Sequence, residues 1–207
     1  SYTLGGVVTG VMLTGHQPGW LIMLAVIGYY GSFGIYESIW AIYLDDLGAS
    51  QIFIGFQLTL FSLPMIFVAP FSGRFAERKG GLTVALVAIA ISIPAVSMYG
   101  MTSNIFLLTG ILMVHAVADA AVIPAIQLAT SHLAGEAQAS AQGLLNASGL
   151  VIAACVALGS GAIYQAFGPF WLFAGWAIVM IFSTGAAAYL GQSELRREAR
   201  MRAGQIT

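Results

Sequence analysis

Three ionisable side chains fall well inside apolar runs long enough to cross a bilayer: Glu37, His115 and Asp119. A charge near the bilayer centre costs at least ~2.5 kcal/mol, so such a group ordinarily faces a cavity or a partner. His115 and Asp119 stand one helical turn apart, and Gln127 and Ser131 continue the run at i+8 and i+12 of Asp119 as a polar stripe. Asp119 in that setting can hold a proton or bind a cationic substrate, with the charge state of His115 tuning its affinity. The alternative is structural: the two side chains satisfy each other and fasten neighbouring helices.

A second constellation precedes it. Tyr29, Phe33, Glu37 and Trp40 recur at i, i+4, i+8 and i+11, with Tyr36 beside them. A carboxylate among aromatic rings suits an amphipathic or cationic organic ligand, because the rings add stacking and cation-π contacts. The competing reading is an interfacial aromatic belt, for which Trp40 and Tyr43 are well placed near the end of their span.

The elements that must position these groups follow from composition. The chain is 59% hydrophobic and 7% charged, with a mean hydropathy of +0.90, whereas soluble domains carry charge on roughly a quarter of their residues. It is an all-α integral membrane protein by this reading. A transmembrane β-barrel would show short alternating segments, and none occurs. The single cysteine, Cys155, leaves no thiolate metal site or intrachain disulfide and reads as a small, buried packing residue. No cofactor or metal is expected, and no basic surface exists for nucleic acid.

Spans of about 20 apolar residues give six transmembrane helices. They cover about Gly19–Leu44, Gln51–Ser72, Leu82–Met101, Ile105–Ser131, Gly143–Tyr164 and Phe170–Leu190. Pro64 and Pro70 fall inside the second, and Gly168-Pro169 turns the fifth into the sixth. Gly149, Ala153, Ala157 and Gly161 form a small-residue stripe on the fifth, where another helix can approach closely. Residues 1–17 read as a cytoplasmic connection or the start of a fragment, 18–192 as the six-helix unit, and 193–207 as a basic cytoplasmic tail.

Charge placement orients this unit. Arg74, Arg78 and Lys79 lie in a hairpin at residues 73–81, and the four other basic residues, Arg196, Arg197, Arg200 and Arg202, lie in the tail. Because cytoplasmic loops are enriched in Lys and Arg, hairpin and tail are both expected in the cytoplasm, in a bacterial inner (plasma) membrane.

The hairpin resembles the signature loop of the major facilitator superfamily. That pattern runs Gly, three residues, Asp, Arg or Lys, one residue, Gly, then two basic residues. Gly73, Arg78 and Gly80 match it; Glu77 replaces the Asp, and Gly81 and Leu82 replace the basic pair. A degenerate copy of this kind is similar to the one in the second half of such proteins. The fourth span has Leu107-Leu108-Thr109-Gly110 where the first-half counterpart often carries an arginine, and the fifth lacks a Gly-Pro motif. The resemblance covers about Pro18 to Arg202.

It implies a C-terminal six-helix half with 3+3 inverted repeats, whose partner is the N-terminal six-helix half of the same polypeptide. It further implies that the first and fourth helices line a central cavity and that the second and fifth face the other half. Arg74, Glu77 and Arg78 are then expected to bridge helix ends at the membrane surface and to bias one conformation over another. The function implied is secondary active transport by alternating access, as proton-coupled export of a small organic or drug-like molecule. Uptake of a sugar or other metabolite is the alternative, and few Asn or Gln residues beyond Gln127 support it. Two other classes stand against transport: a membrane acyltransferase, from the His-x-x-x-Asp spacing of His115 and Asp119, and a non-transporting scaffold or receptor. No nucleophile lies near the pair, which counts against the enzyme.

Overall fold

The computed structural model describes residues 19–134, 137–193, 195–196 and 200. The expected leading connection at 1–17 and most of the tail from 193 lie outside the described residues. Among the described residues five helices are long and apolar enough to cross a membrane: α1 (Gly19–Asp46), α2 (Gln51–Lys79), α3 (Gly81–Tyr99), α4 (Ile105–Ala134) and α5 (Gln138–Leu190). Helix is what an apolar chain adopts in lipid, where each backbone N–H and C=O must find its partner within the segment.

At 53 residues α5 would run ~80 Å if straight, far beyond a hydrocarbon core of ~30 Å. It does not run straight. Gly168 has φ 82° and ψ 174°, a non-helical conformation open to glycine, and divides α5 into a first arm (138–167) and a second arm (169–190). The sequence places its fifth and sixth spans on these two arms.

The connections are short and sort to opposite ends. Between α1 and α2, the Ser50 hydroxyl accepts from the Phe53 amide at 3.3 Å and caps α2. Between α3 and α4, the Asn104 side chain accepts from the amides of Phe106 and Leu107 at 3.0 and 3.2 Å. Gly100, in that second turn, lies against the backbone of Pro169 and Phe170, and Tyr164 donates to the Asp46 carboxylate at 2.7 Å. The turn after α1, the turn after α3 and the Gly168 break therefore share one end of the bundle.

The charged hairpin differs from its expected form. Residues 73–79 are not a loop but the last turns of α2, and the connection to α3 is the single residue Gly80 at φ 90°. The Gly80 amide still donates to the Ala76 carbonyl at 2.8 Å. Alanine, arginine, glutamate and lysine all favour helix, so α2 persists past the apolar boundary until glycine stops it.

The core is built around α1, which packs chiefly on both arms of α5. On the first arm, Gly149 lies beneath the Tyr30 ring, the Ala153 carbonyl sits against Gly34, and Ser160 hydrogen-bonds Ser38 at 2.9 Å. Towards the second arm, Gly31 faces the Trp176 ring, whose Nε1 donates to the Gly28 carbonyl at 3.4 Å. The small-residue stripe thus serves a contact within the chain at Gly149 and Ala153, while Gly161 further along it has open space. Cys155, two residues past Ala153 and so on the far side of the arm, is exposed and not a packing residue. α3 packs on α4 and on α5, and α2 packs mainly on α4. Within the membrane Gln57 of α2 donates to Thr109 of α4 at 2.6 Å, an interhelical bond in the place of hydrophobic drive.

A side chain at Gly34 would run into the Ala153 backbone, whereas Gly159 on the outer face of the same arm has open space. Gly34→Val is expected to destabilise the protein by about 1–3 kcal/mol through overpacking and Gly159→Ala to be near neutral. Thermal denaturation of the two variants in one detergent checks this; equal melting temperatures would show that α1 does not rest on the first arm.

Candidate functional site

The ionisable pair on α4 lies at the centre of a buried network. Asp119 and His115 are 3% and 2% exposed. Asp119 Oδ1 accepts from the Ser92 hydroxyl of α3 at 2.9 Å and lies 3.4 Å from His115 Nε2. His115 Nδ1 meets the Tyr99 hydroxyl, also on α3, at 2.8 Å. A neutral imidazole with its proton on Nε2 would accept from Tyr99 at Nδ1 and turn an N–H towards the carboxylate. The sequence spacing gave this pair correctly; it gave no sign of Ser92 or Tyr99, since a lone hydroxyl in an apolar helix is ordinary.

The network faces α1 across a wall of rings. The Trp40 and Tyr99 centroids are 4.7 Å apart, Tyr36 stacks on Phe61 of α2 at 4.2 Å, and Phe61 stands 6.0 Å from the His115 ring. Ser32, Tyr36, Trp40, Tyr99, His115, Phe173 and Trp176 are among the residues around a small cavity between α1, α3, α4 and the second arm, of about 10 Å³, room for about one water. Three buried polar atoms of this lining, Tyr36 Oη, Trp40 Nε1 and His115 Nε2, make no hydrogen bond. Of the three, His115 Nε2 already has the Asp119 carboxylate beside it at 3.4 Å.

The aromatic face of α1 and its acid separate. Tyr29, Tyr36 and Trp40 are buried, Phe33 is half-buried, and Glu37 is exposed. At about 100° per residue, position 37 lies about 80° around the helix from position 29 and about 60° from position 40. The rings therefore pack into the bundle while the carboxylate looks outward, and Glu37 is not enclosed by aromatics as the spacing implied. Nor is Tyr43 a belt residue. It is buried, and its hydroxyl donates to the carbonyls of Tyr99 and Thr102 at 2.6 and 2.9 Å, tying α1 to the end of α3.

The polar stripe on α4 divides in the same way. Gln127 is about 120° around from His115 and exposed. It lines a separate recess of about 480 Å³ at the hairpin end, with Gly73 and Glu77 of α2, Ser131 of α4, and Gln142 and Asn146 of α5. Gln142 Nε2 donates to the Gln127 carbonyl at 2.7 Å and to Ser131 Oγ at 3.0 Å. Asn146 Oδ1 accepts from Tyr30 at 3.4 Å. Gln142 and Asn146 escaped the sequence reading because they occupy the entrance of a span whose small residues drew the attention.

The hairpin residues behave differently from the expectation of bridged helix ends. Arg74, Glu77 and Arg78 are exposed on α2. Among the described residues the one ion pair is that of His115 and Asp119, so no bridge joins the hairpin charges to a neighbouring helix. Glu77 opens onto the Gln127 recess instead.

Comparison with known proteins places this architecture. No curated protein and no solved structure matches the chain. The sequence model of the Major Facilitator Superfamily matches residues 22–203, the whole set of apolar helices on which both polar sites are built. The chain belongs to the Major Facilitator Superfamily, a family of membrane transporters.

Proposed function

We propose that this chain is the C-terminal six-crossing half of a proton-coupled secondary transporter that exports a small organic molecule by alternating access. The observation that carries the reading is Asp119, a carboxylate at the middle of an apolar helix, with one hydroxyl donor, one imidazole neighbour and 3% exposure. An ionisable group at that depth ordinarily serves a partner or a transport function.

Six crossings follow if the two arms of α5 each span the bilayer, which the break at Gly168 and its place beside Gly100 support. The 3+3 inverted repeat then pairs the first three crossings with the last three. The Gly80 turn, with Arg74, Arg78 and Lys79 before it, faces the cytoplasm on charge grounds. α2 and the first arm have the fewest buried residues for their length, as helices awaiting the N-terminal half would.

In this reading the two acids divide the work. Glu37, outward on α1, meets a cationic substrate in the cavity between halves. Asp119 carries the proton inside the bundle. The two communicate through the Trp40–Tyr99 contact, because Tyr99 holds His115 and Trp40 belongs to the helix that carries Glu37. Protonation of Asp119 weakens its hold on Ser92 and His115, which loosens α3 and α4 against α1 and shifts the balance between the outward-open and inward-open states.

A second reading is favoured by one feature, the amide-rich recess of Gln127, Gln142 and Asn146. Neutral hydrogen-bonding groups suit a hydroxylated metabolite, taken up with protons, better than a cationic drug. Substitution of Gln127 and Asn146 by alanine separates the two, since only the second requires them for substrate affinity.

Asp119→Asn is expected to insert normally and to abolish movement driven by an imposed pH gradient in vesicles, while substrate exchange without a gradient survives. Undiminished gradient-driven transport would remove Asp119 from the mechanism. Glu37→Gln is expected to weaken binding of cationic substrates by about fivefold, the worth of a solvated ion pair, and to leave neutral ones unchanged. An equal loss for both would make Glu37 structural.

A further inference from the structure

The flank opposite the recess holds a long groove between α2, α3 and α4, of about 710 Å³ and lined almost wholly by apolar side chains. Val68 and Phe75 of α2, Val87 and Ile91 of α3, and Val117 of α4 form its walls. Phe75, Val87, Ile91 and Val117 are about half exposed, so the groove is open along its length. Ser72 on its floor donates to its own helix, at the Ala69 carbonyl at 2.9 Å, and makes no polar demand on an occupant.

One charge stands at one end. Lys79, the last residue of α2, lines the mouth next to the Gly80 turn. Among the described residues its ammonium is in no ion pair. Glu77, two residues earlier, is turned about 200° around the helix and opens onto the recess instead. Arg74 and Arg78 are exposed on α2 but do not line the groove.

The dimensions match one lipid chain in one leaflet. Val68 and Lys79 are eleven residues apart on one face of α2, about 16 Å along the axis, and half of a hydrocarbon core is about 15 Å. An acyl chain lying in the groove would end near Val68 and Ile91, at mid-bilayer, with its headgroup at Lys79.

We propose that this groove is a binding site for an anionic phospholipid of the leaflet at the Gly80 turn, one acyl chain along α2, α3 and α4 and the phosphate on Lys79. The site is separate from both polar sites and from the transport cycle proposed above. Charge complementarity selects the headgroup, since a single lysine near an anionic surface is worth about fivefold in affinity. The apolar walls select only length and fluidity.

Native mass spectrometry of the protein in detergent, with phosphatidylglycerol or phosphatidylcholine added, tests this. The wild type is expected to retain phosphatidylglycerol about fivefold better than phosphatidylcholine. Lys79→Gln should erase that preference and Lys79→Arg should keep it, while Val117→Trp, which fills the middle of the groove, should lower retention of both lipids. Val117 and Lys79 are both exposed, and matching melting temperatures would show that the variants fold. A preference unchanged in Lys79→Gln, or retention unchanged in Val117→Trp, overturns the proposal. So does lipid that binds only after residues 1–18 are removed, which would assign the groove to that segment.

Discussion

The grip of α5 on α1 is the constraint on which the remaining geometry depends. In lipid there is no hydrophobic force between helices, so close backbone approach and interhelical hydrogen bonds must supply the attraction. Here they concentrate on one helix. Gly34 against Ala153, Gly149 beneath Tyr30 and Ser38 with Ser160 hold one side, and Gly31 with Trp176 holds another. With α1 fixed between the two arms, its third side is set by geometry. Tyr36 and Trp40 must meet Phe61 and Tyr99, and Glu37 must turn outward.

That arrangement keeps two kinds of polarity apart. The Asp119 network is buried, enclosed by rings and connected by short bonds to α3. The Gln127 recess is open, rich in amides and placed at the hairpin end. Low dielectric strengthens every interaction in the first and leaves little room for an unpaired group. The second is screened by solvent, and its hydrogen bonds exchange readily with a ligand's. A buried carboxylate and a set of solvent-facing amides have opposite needs, and the helix wheel of α4 separates them by about a third of a turn.

Much of this was legible beforehand. The apolar composition and the spacing of Gly, Pro and charged residues locate the apolar helices, apart from the last turns of α2 beyond Ser72, and the i, i+4 spacing of His115 and Asp119 marks them as a pair. What failed was direction. A repeat of i, i+4, i+8 drifts about 40° per step, so Glu37 slid off the aromatic face of α1 and Gln127 off the polar face of α4. Whether a small-residue stripe meets a helix of its own chain or of another is equally invisible, and Gly149 with Ala153 meet α1. Ser92 and Tyr99 carried no signal because their importance comes from what stands opposite them across the α3–α4 contact. At the hairpin, charge alone does not end a helix: α2 carries Arg74, Glu77, Arg78 and Lys79, and its backbone stops only at Gly80.

The break at Gly168 bears on how force travels through the bundle. A continuous helix is a stiff rod, and a single non-helical residue turns it into two rods on a swivel. Torque applied to the first arm therefore has little grip on the second through the peptide chain. It passes instead through the helices packed on both, chiefly α1. α1 is then the main axle of the bundle: rotation of one arm reaches the other largely by way of the helix that bears Trp40 and Glu37, with the polar pair of α4 seated beside the bearing.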